Sequence, residues 1–313
     1  LVDIDKDSDL DLVVGNYDRP NRLYLNDGTG KLGYGVEIDA AKYKTTSVAA
    51  GEIDGKMYLV VGVYDGPMKL YEWNGDDKKF GAAVDITDSS KKTTVITLAN
   101  VDSDAELELI VGTEKQGVFL YNWSGGAFGS PTTIESAETY WNTSLALADV
   151  DADSDLDLVV GNKTQQNRLY LNSSGTFTGT NIGSETYPTT SLAVGNLNSD
   201  GNLELIVGVD RLPNRLYALK TLEGKTGYVF GTDIGVNTAL VRSTPATDNL
   251  DTPQRGAPHY YTSRTLIATA CPVADERPVG CASTSSSTCS SRGRARSLAG
   301  PASAGTTSPS RSR

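Results

Sequence analysis

The chain has 313 residues, 38% of them apolar, and a formal net charge of −11. From Arg242 onward it carries nine Arg, four acids and no Lys, which leaves −16 on residues 1–241. So acidic a body lacks the basic stripe of a nucleic-acid-binding surface. No apolar run reaches the 18 residues of a membrane-spanning helix, and Cys271, Cys281 and Cys289 all lie in the last 45 residues, so no disulfide framework is expected to hold the rest.

Five copies of one pattern follow one another, each reaching Val-Gly at Gly15, Gly62, Gly112, Gly161 and Gly208, with spacings of 47, 50, 49 and 47 residues. A period near 50 marks stacked supersecondary units. Each unit reads in the same order. A Thr/Ser-led apolar segment opens it (45–51, 93–99, 143–149, 189–195), the first copy lacking this part. An acidic loop follows, then a run such as LDLVVG (10–15, 156–161) or LELIVG (107–112, 203–208). A polar loop leads to a third segment (NRLYLN at 21–26 and 167–172, MKLYEWN at 68–74, GVFLYNW at 117–123, NRLYALK at 214–220), and a Gly-rich turn to a weaker fourth (35–40, 82–87). Segments of four to seven residues rich in Val, Ile, Leu and Tyr, punctuated by Gly, Asn and Asp, read as strands and turns.

Four strands per unit at this period predict an all-β protein, a β-propeller of four-stranded blades. Linear β-solenoid repeats are shorter. A WD40 array is excluded because none of Trp73, Trp123 and Trp141 precedes Asp. Five repeats are visible over residues 1–241, as a small closed ring or a fragment of a larger one. Residues 243–251 resemble 143–151, either as the closing strand or as the start of a sixth blade. Residues 252–313, rich in Ser, Thr, Ala, Pro and Arg, are expected to be a disordered low-complexity tail. The chain opens inside a repeat, so residue 1 reads as a cut edge and the missing leader says nothing of compartment.

The acidic loops carry the chemistry. The first offers Asp3, Asp5, Asp7 and Asp11, with Ser8 at the turn and Asp9 placed to offer its carbonyl. The fourth repeats this with Asp149, Asp151, Asp153 and Asp157, and with Ser154 and Asp155. Alternating carboxylates with a carbonyl and a ninth-position carboxylate supply hard oxygens at the spacing Ca²⁺ accepts. An EF-hand needs Glu at position 12, where Val14 and Val160 stand, and flanking helices, which the pattern lacks. The third loop (Asn100, Asp102, Asp104, Glu108) and the fifth (Asn196, Asn198, Asp200, Glu204) carry less charge and are expected to bind more weakly. The second, with only Glu52 and Asp54, is expected to be metal-free.

The runs DIDKDSDLDLVVGN and DVDADSDLDLVVGN, each followed by NRLYLN, resemble the FG-GAP/VCBS repeat, also found in the N-terminal propeller of integrin α subunits. The resemblance covers residues 1–241. It implies blades, often seven, whose acidic loop joins the innermost strand to the second and holds Ca²⁺, in a secreted or cell-surface protein. Where the family has Gly at the loop turn, this chain has Ser8 and Ser154, which implies slight strain.

No catalytic constellation is visible. The single His, His259, lies in the last 62 residues, and the paired Asp are taken up by metal geometry. The expected function is therefore a Ca²⁺-stabilised extracellular binding or adhesion module for a protein or glycan, without catalysis of its own and without membrane insertion. The alternative is the non-catalytic part of a secreted polysaccharide lyase or hydrolase. The contact face is expected opposite the acidic loops, where Tyr17, Tyr43, Tyr64, Tyr140, Trp141 and Tyr187 recur. These aromatics have two uses, binding a partner or packing blade on blade. Asn-x-Ser/Thr sequons at Asn122, Asn142, Asn162 and Asn172 matter only in a glycosylating secretory pathway.

Overall fold

A computed structural model describes residues 1–86, 91–102, 104–136, 139–222 and 225–234. The predicted closing strand at 243–251 and the tail at 252–313 lie outside them. Every regular element among the described residues is a strand, and no helix there is long and apolar enough to cross a membrane.

The strands form successive antiparallel sheets that are the blades of a β-propeller, with Tyr17–Arg19 of the first repeat paired to the inner strand of the second and a separate short hairpin, Trp123–Ser124 with Ala127–Phe128, in the third. Blade two comprises Tyr43–Ile53, Lys56–Val63, Met68–Asn74 and Val84–Ile86. Blade three comprises Thr93–Ala99, Glu108–Thr113, Val118–Tyr121 and Thr132–Glu135. Blade four comprises Asn142–Ala148, Asp157–Asn162, Asn167–Ser173 and Thr176–Ile182. Blade five comprises Thr189–Gly195, Glu204–Val209, Asn214–Leu222 and Lys225–Ile234. Blade one has three paired strands, Leu12–Val14, Arg22–Tyr24 and Val36–Glu37. Its missing opening strand agrees with the truncated first repeat.

The unbroken apolar runs have a simple cause. Side chains alternate across a strand, and both faces of the second strand are covered by a neighbouring blade in blades two, three and four. Leu59 and Val61 enter the core between blades one and two, while Val60 enters the core between two and three. Leu109 and Val111 join that second core, and Ile110 joins the one between three and four. Leu158 and Val160 lie in the third core, and Val159 in the fourth, with Val207 of blade five. Among the described residues, four inter-blade cores thus take the place of one central core.

The recurrent Val-Gly marks where blades touch. A Cβ on Gly15, Gly62 or Gly161 would stand 2.7, 3.0 or 2.7 Å from the Cγ2 of Thr45, Thr93 or Thr189 at the start of the next blade. At Gly112 the corresponding neighbour is Asn142, at 3.0 Å. The next residue of the inner strand is bulged out of register in all four complete blades. The bulged residue is Thr46, Thr94, Thr143 or Thr190, and its hydroxyl donates to the carbonyl of the repeat glycine. Thr46 and Thr143 also reach the next blade, at the carbonyls of Thr93 (3.0 Å) and Thr189 (2.8 Å). A β-bulge re-aims a side chain, here into the neighbouring blade.

Candidate metal centres

In blades two to five the acidic loop connects the inner strand to the second, and in blade one it leads directly into the second strand. Its second residue is apolar and anchors it: Ile4, Val101 and Val150 are buried in inter-blade cores. The backbone N–H of that residue donates to the last acid of the loop in all four long loops. The pairs are Ile4 with Asp11 Oδ2, Val101 with Glu108 Oε2, Val150 with Asp157 Oδ2 and Leu197 with Glu204 Oε2. Asp11 and Asp157 accept a second backbone N–H on Oδ1, from Asn26 (2.9 Å) and Asn172 (2.8 Å), at the end of the third strand. Both carboxylates are fully buried. The ninth-position acid is thus a clip between loop and sheet as well as a candidate ligand.

The first residue folds the loop back on itself. Asp3 accepts from the N–H groups of Asp7 and Ser8, and Asp149 from those of Asp153 and Ser154, all at 3.0–3.1 Å. The backbone adopts positive φ at Lys6, Ser8, Ala152 and Ser154 (60°, 77°, 63° and 79°). Side chains adopt this region at a cost, so the strain expected at the two serines is present and shared by the fourth loop position.

Three carboxylate groups converge, with one oxygen per residue within 4.8 Å of the others: Asp3, Asp5 and Asp11; Asp102, Asp104 and Glu108; Asp149, Asp151 and Asp157. Asp7 and Asp153 fall outside these groups, each accepting the N–H two residues on, from Asp9 and Asp155. The Asp155 carboxylate turns to the Ser174 N–H (2.9 Å) in the outer hairpin. In each converged group one oxygen is buried and has no hydrogen-bond partner: Asp5 Oδ1, Glu108 Oε1 and Asp151 Oδ1. The Asp5 side chain is only 9% exposed.

The charges resist this crowding. Burial first, then Asp7 and Asp11, raises the Asp5 carboxyl above its ordinary range. Asp151 is raised by burial, then by Asp153 and Asp149. Burial foremost pushes Asp157 up to about 6 and Glu108 up to about 7. Desolvation and like charges both disfavour an ionised carboxylate. A hard divalent cation would remove both penalties and supply the partner that the orphaned oxygens lack, so the residues present fit Ca²⁺.

The fifth loop is built differently. Asn198 Oδ1 accepts the Asp200 N–H (2.9 Å), which fixes the amide so that Nδ2 faces Asp200 Oδ2 (2.9 Å) and Glu204 Oε1 (3.2 Å). The amide bridges two carboxylates where the Asp loops have only acid. In the third loop Asn100 Nδ2 donates to the Asp104 carbonyl (2.6 Å). At Asn196, Oδ1 accepts the Ser199 N–H. In blade two the loop is a two-residue hairpin, Asp54-Gly55, with φ of 51° and 74°. Asp-Gly suits such a turn. It is tied to its neighbours by the Asp54 N–H to Glu106 Oε2 (2.9 Å), Trp123 Nε1–H to Asp54 Oδ2 (2.7 Å) and Lys6 Nζ to Glu52 Oε2 (3.0 Å).

The predicted rim aromatics gather at the opposite end of the blades, around the starts of the inner strands. Tyr43 and Tyr187 pack against inter-blade cores, with the Lys69 ammonium and the Arg215 guanidinium 5.2 and 5.3 Å from their ring centroids. Tyr64 donates its hydroxyl to Glu114, and Lys163 lies 4.2 Å from the Trp141 ring. Tyr140 offers its carbonyl to the Lys115 N–H, while Tyr17 is 56% exposed. Tyr43 and Tyr187 thus serve blade packing, and Tyr17 is left exposed. Of the four sequons, Asn142, Asn162 and Asn172 are buried, and only Asn122 is exposed.

Similar solved structures include the BP39L lectin from Burkholderia pseudomallei (13% identity, 71% of this chain and 69% of that one, TM-score 0.49). Others are the Cps50 (Swd1) β-propeller domain of Myceliophteria thermophila (13%, 72% and 70%, TM-score 0.48) and BBS1N in complex with ARL6DN (14%, 66% and 61%, TM-score 0.42). No curated protein matches. The fold rests on the strand pairing and the repeat, not on these likenesses. The FG-GAP-like repeat model matches residues 3–55, 100–160 and 149–207, just over half of the chain, with both Asp-rich loops inside the matched segments. The chain belongs to the family of FG-GAP-like repeat proteins.

Proposed function

We propose that this chain is a Ca²⁺-stabilised extracellular binding module that recognises a protein or glycan and carries out no catalysis of its own. The observation that carries the reading is the buried, unpartnered carboxylate oxygen in each of three acidic groups, Asp5, Glu108 and Asp151. Asp3, Asp5 and Asp11 would hold one ion and Asp149, Asp151 and Asp157 another, with Asp7, Asp9, Asp153 and Asp155 completing the loops. The ions neutralise the loops and lock each inner hairpin. The graded third loop and the amide-bridged fifth make weaker sites, at Asn100, Asp102, Asp104 and Glu108, and at Asn196, Asn198, Asp200 and Glu204.

Extracellular calcium modules bind with Kd of roughly 10⁻⁴–10⁻³ M. At about 1–2 mM free ion and a Kd of about 0.1 mM, each strong site adds about 1.5 kcal/mol. Thermal unfolding with calcium and with chelator tests this. Chelator should lower Tm, and Asp5→Ala with Asp151→Ala should abolish most of that shift. An unchanged Tm in chelator would refute the metal reading. We assign recognition to the end opposite the loops, where Tyr17 is exposed and Tyr64 and Trp141 are half-buried beside Lys92 and Lys163.

A further inference from the structure

Each blade has two unlike faces. The forward face carries the loop anchor and the middle apolar residue of the second strand. Ile4, Val101 and Val150 are at most 3% exposed at the anchor, and Val60, Ile110 and Val159 are fully buried at the middle position. In blade five the corresponding residues are Leu197, 56% exposed, and Ile206, half-buried. The rear face carries the residues on either side of the middle position. Leu109 and Val111 of blade three are fully buried there, whereas Leu12 and Val14 of blade one are half-buried. Leu10 beside them is 54% exposed, while Leu107 and Leu156 at the same position pack against inter-blade cores. Exposed apolar side chains grouped at positions that are buried in the other blades mark an interaction surface.

We infer that these two faces join one copy of the chain to the next, blade five of one copy packing on blade one of another. The contacts inside the propeller specify this partner. Ile4 shares a core with Leu59 and Val61, Val101 with Leu158 and Val160, and Val150 with Leu205 and Val207. A forward anchor therefore meets the rear residues of the following second strand. Leu197 of one copy on Leu12 and Val14 of another repeats that contact, and one chain carries both halves of it.

A polar group on blade one is placed for the same junction. Between blades three and four, Asn172 Nδ2 donates to the Leu156 carbonyl of its own blade (3.1 Å) and to the Val101 carbonyl of the preceding one (2.7 Å). Its counterpart Asn26 donates to the Leu10 carbonyl (3.2 Å), and its Nδ2 has no acceptor on a preceding blade among the described residues. The Leu197 carbonyl of a second copy stands where Val101 does in the repeat and would supply it. Blade one lacks an inner strand, so its second and third strands and its acidic loop carry the contact. Two unlike faces make a heterologous interface, which adds copy after copy unless a ring closes.

Sedimentation velocity of the full calcium-loaded chain over a wide range of concentration tests the inference. Self-association that grows with concentration, weakened at least tenfold by Leu197→Arg or by Leu10→Arg, is the expected result. Each variant loses one face and keeps the other, so an equimolar mixture of the two should form dimers that grow no further. Both side chains are more than half exposed, so the variants should fold as the parent does, which thermal unfolding checks. A chain that stays monomeric at every concentration overturns the inference, as it would if another segment of the same chain covered a face. Self-association that both variants leave unchanged places the contact elsewhere and overturns it too. Variants that are weakened singly but fail to pair when mixed overturn the head-to-tail arrangement.

Discussion

The turn between the first two strands spans residues 149–156 in blade four and only Asp54 and Gly55 in blade two. Both turns leave the same strand and enter the same strand of the repeat. In blade two the backbone closes the turn by itself, and ion pairs and hydrogen bonds from Lys6, Glu106 and Trp123 brace it. In blade four the turn gathers carboxylates that burial and mutual repulsion push toward protonation. A hairpin that closes on backbone geometry needs no cofactor, whereas a loop that closes on charge needs a counter-charge. One propeller holds both solutions, so each serves as a control for the other.

Asp157→Ala should have the largest effect. It leaves the buried N–H groups of Val150 and Asn172 without acceptors, at about 1–3 kcal/mol each. A loss of about 3 kcal/mol should appear in urea unfolding even with chelator present. Asp54→Ala should cost about 1 kcal/mol, through the Trp123 hydrogen bond, with the same cost whether or not calcium is present.

Asp151→Asn should split by condition. In chelator it relieves repulsion at a buried oxygen that has no partner, so Tm should hold or rise slightly. In about 1–2 mM calcium the variant should lose about 1.5 kcal/mol relative to the parent. The same sign in both conditions would mean that Asp151 supports the fold without metal. Gly55→Ala places a side chain at φ 74° and should cost about 1 kcal/mol, independent of calcium, as read by thermal unfolding.

The smallest expected effect separates the two Asp-rich loops. Lys78 Nζ lies 3.7 Å from Asp5 Oδ2 on a largely exposed side chain. It is a resident cation beside the first loop and should weaken ion binding there modestly, because solvent screens it. Lys78→Gln should tighten the first site about two- to threefold in a calcium titration and leave the fourth unchanged.

Much of this was legible in the sequence. The repeat period, the strand order and the missing opening strand of blade one could be read because each strand is short and each turn carries its own punctuation. The acid spacing predicted convergence at positions one, three, five and nine; in the two Asp-rich loops positions one, three and nine do converge, whereas Asp7 and Asp153 at position five accept backbone N–H groups two residues on. It did not show that Asp11 and Asp157 each hold two backbone N–H groups, because Asn26 and Asn172 stand 15 residues away. The bulged Thr46 and Thr143 read as ordinary strand openers, since their acceptors on the next blade lie 47 and 46 residues on. Composition scored Asn198 as a weaker ligand than Asp. Only coordinates show its amide bridging Asp200 and Glu204. Nor does the sequence show that Tyr170, in the second NRLYLN, donates its hydroxyl to Glu135 of the preceding blade, 35 residues away.

Crystals grown in calcium and measured for anomalous scattering address the central claim most directly. Peaks between Asp3, Asp5 and Asp11 and between Asp149, Asp151 and Asp157, with none at the Asp54-Gly55 hairpin, are the expected result. A map with no peak in either Asp-rich loop, at a calcium concentration well above 1 mM, would contradict it.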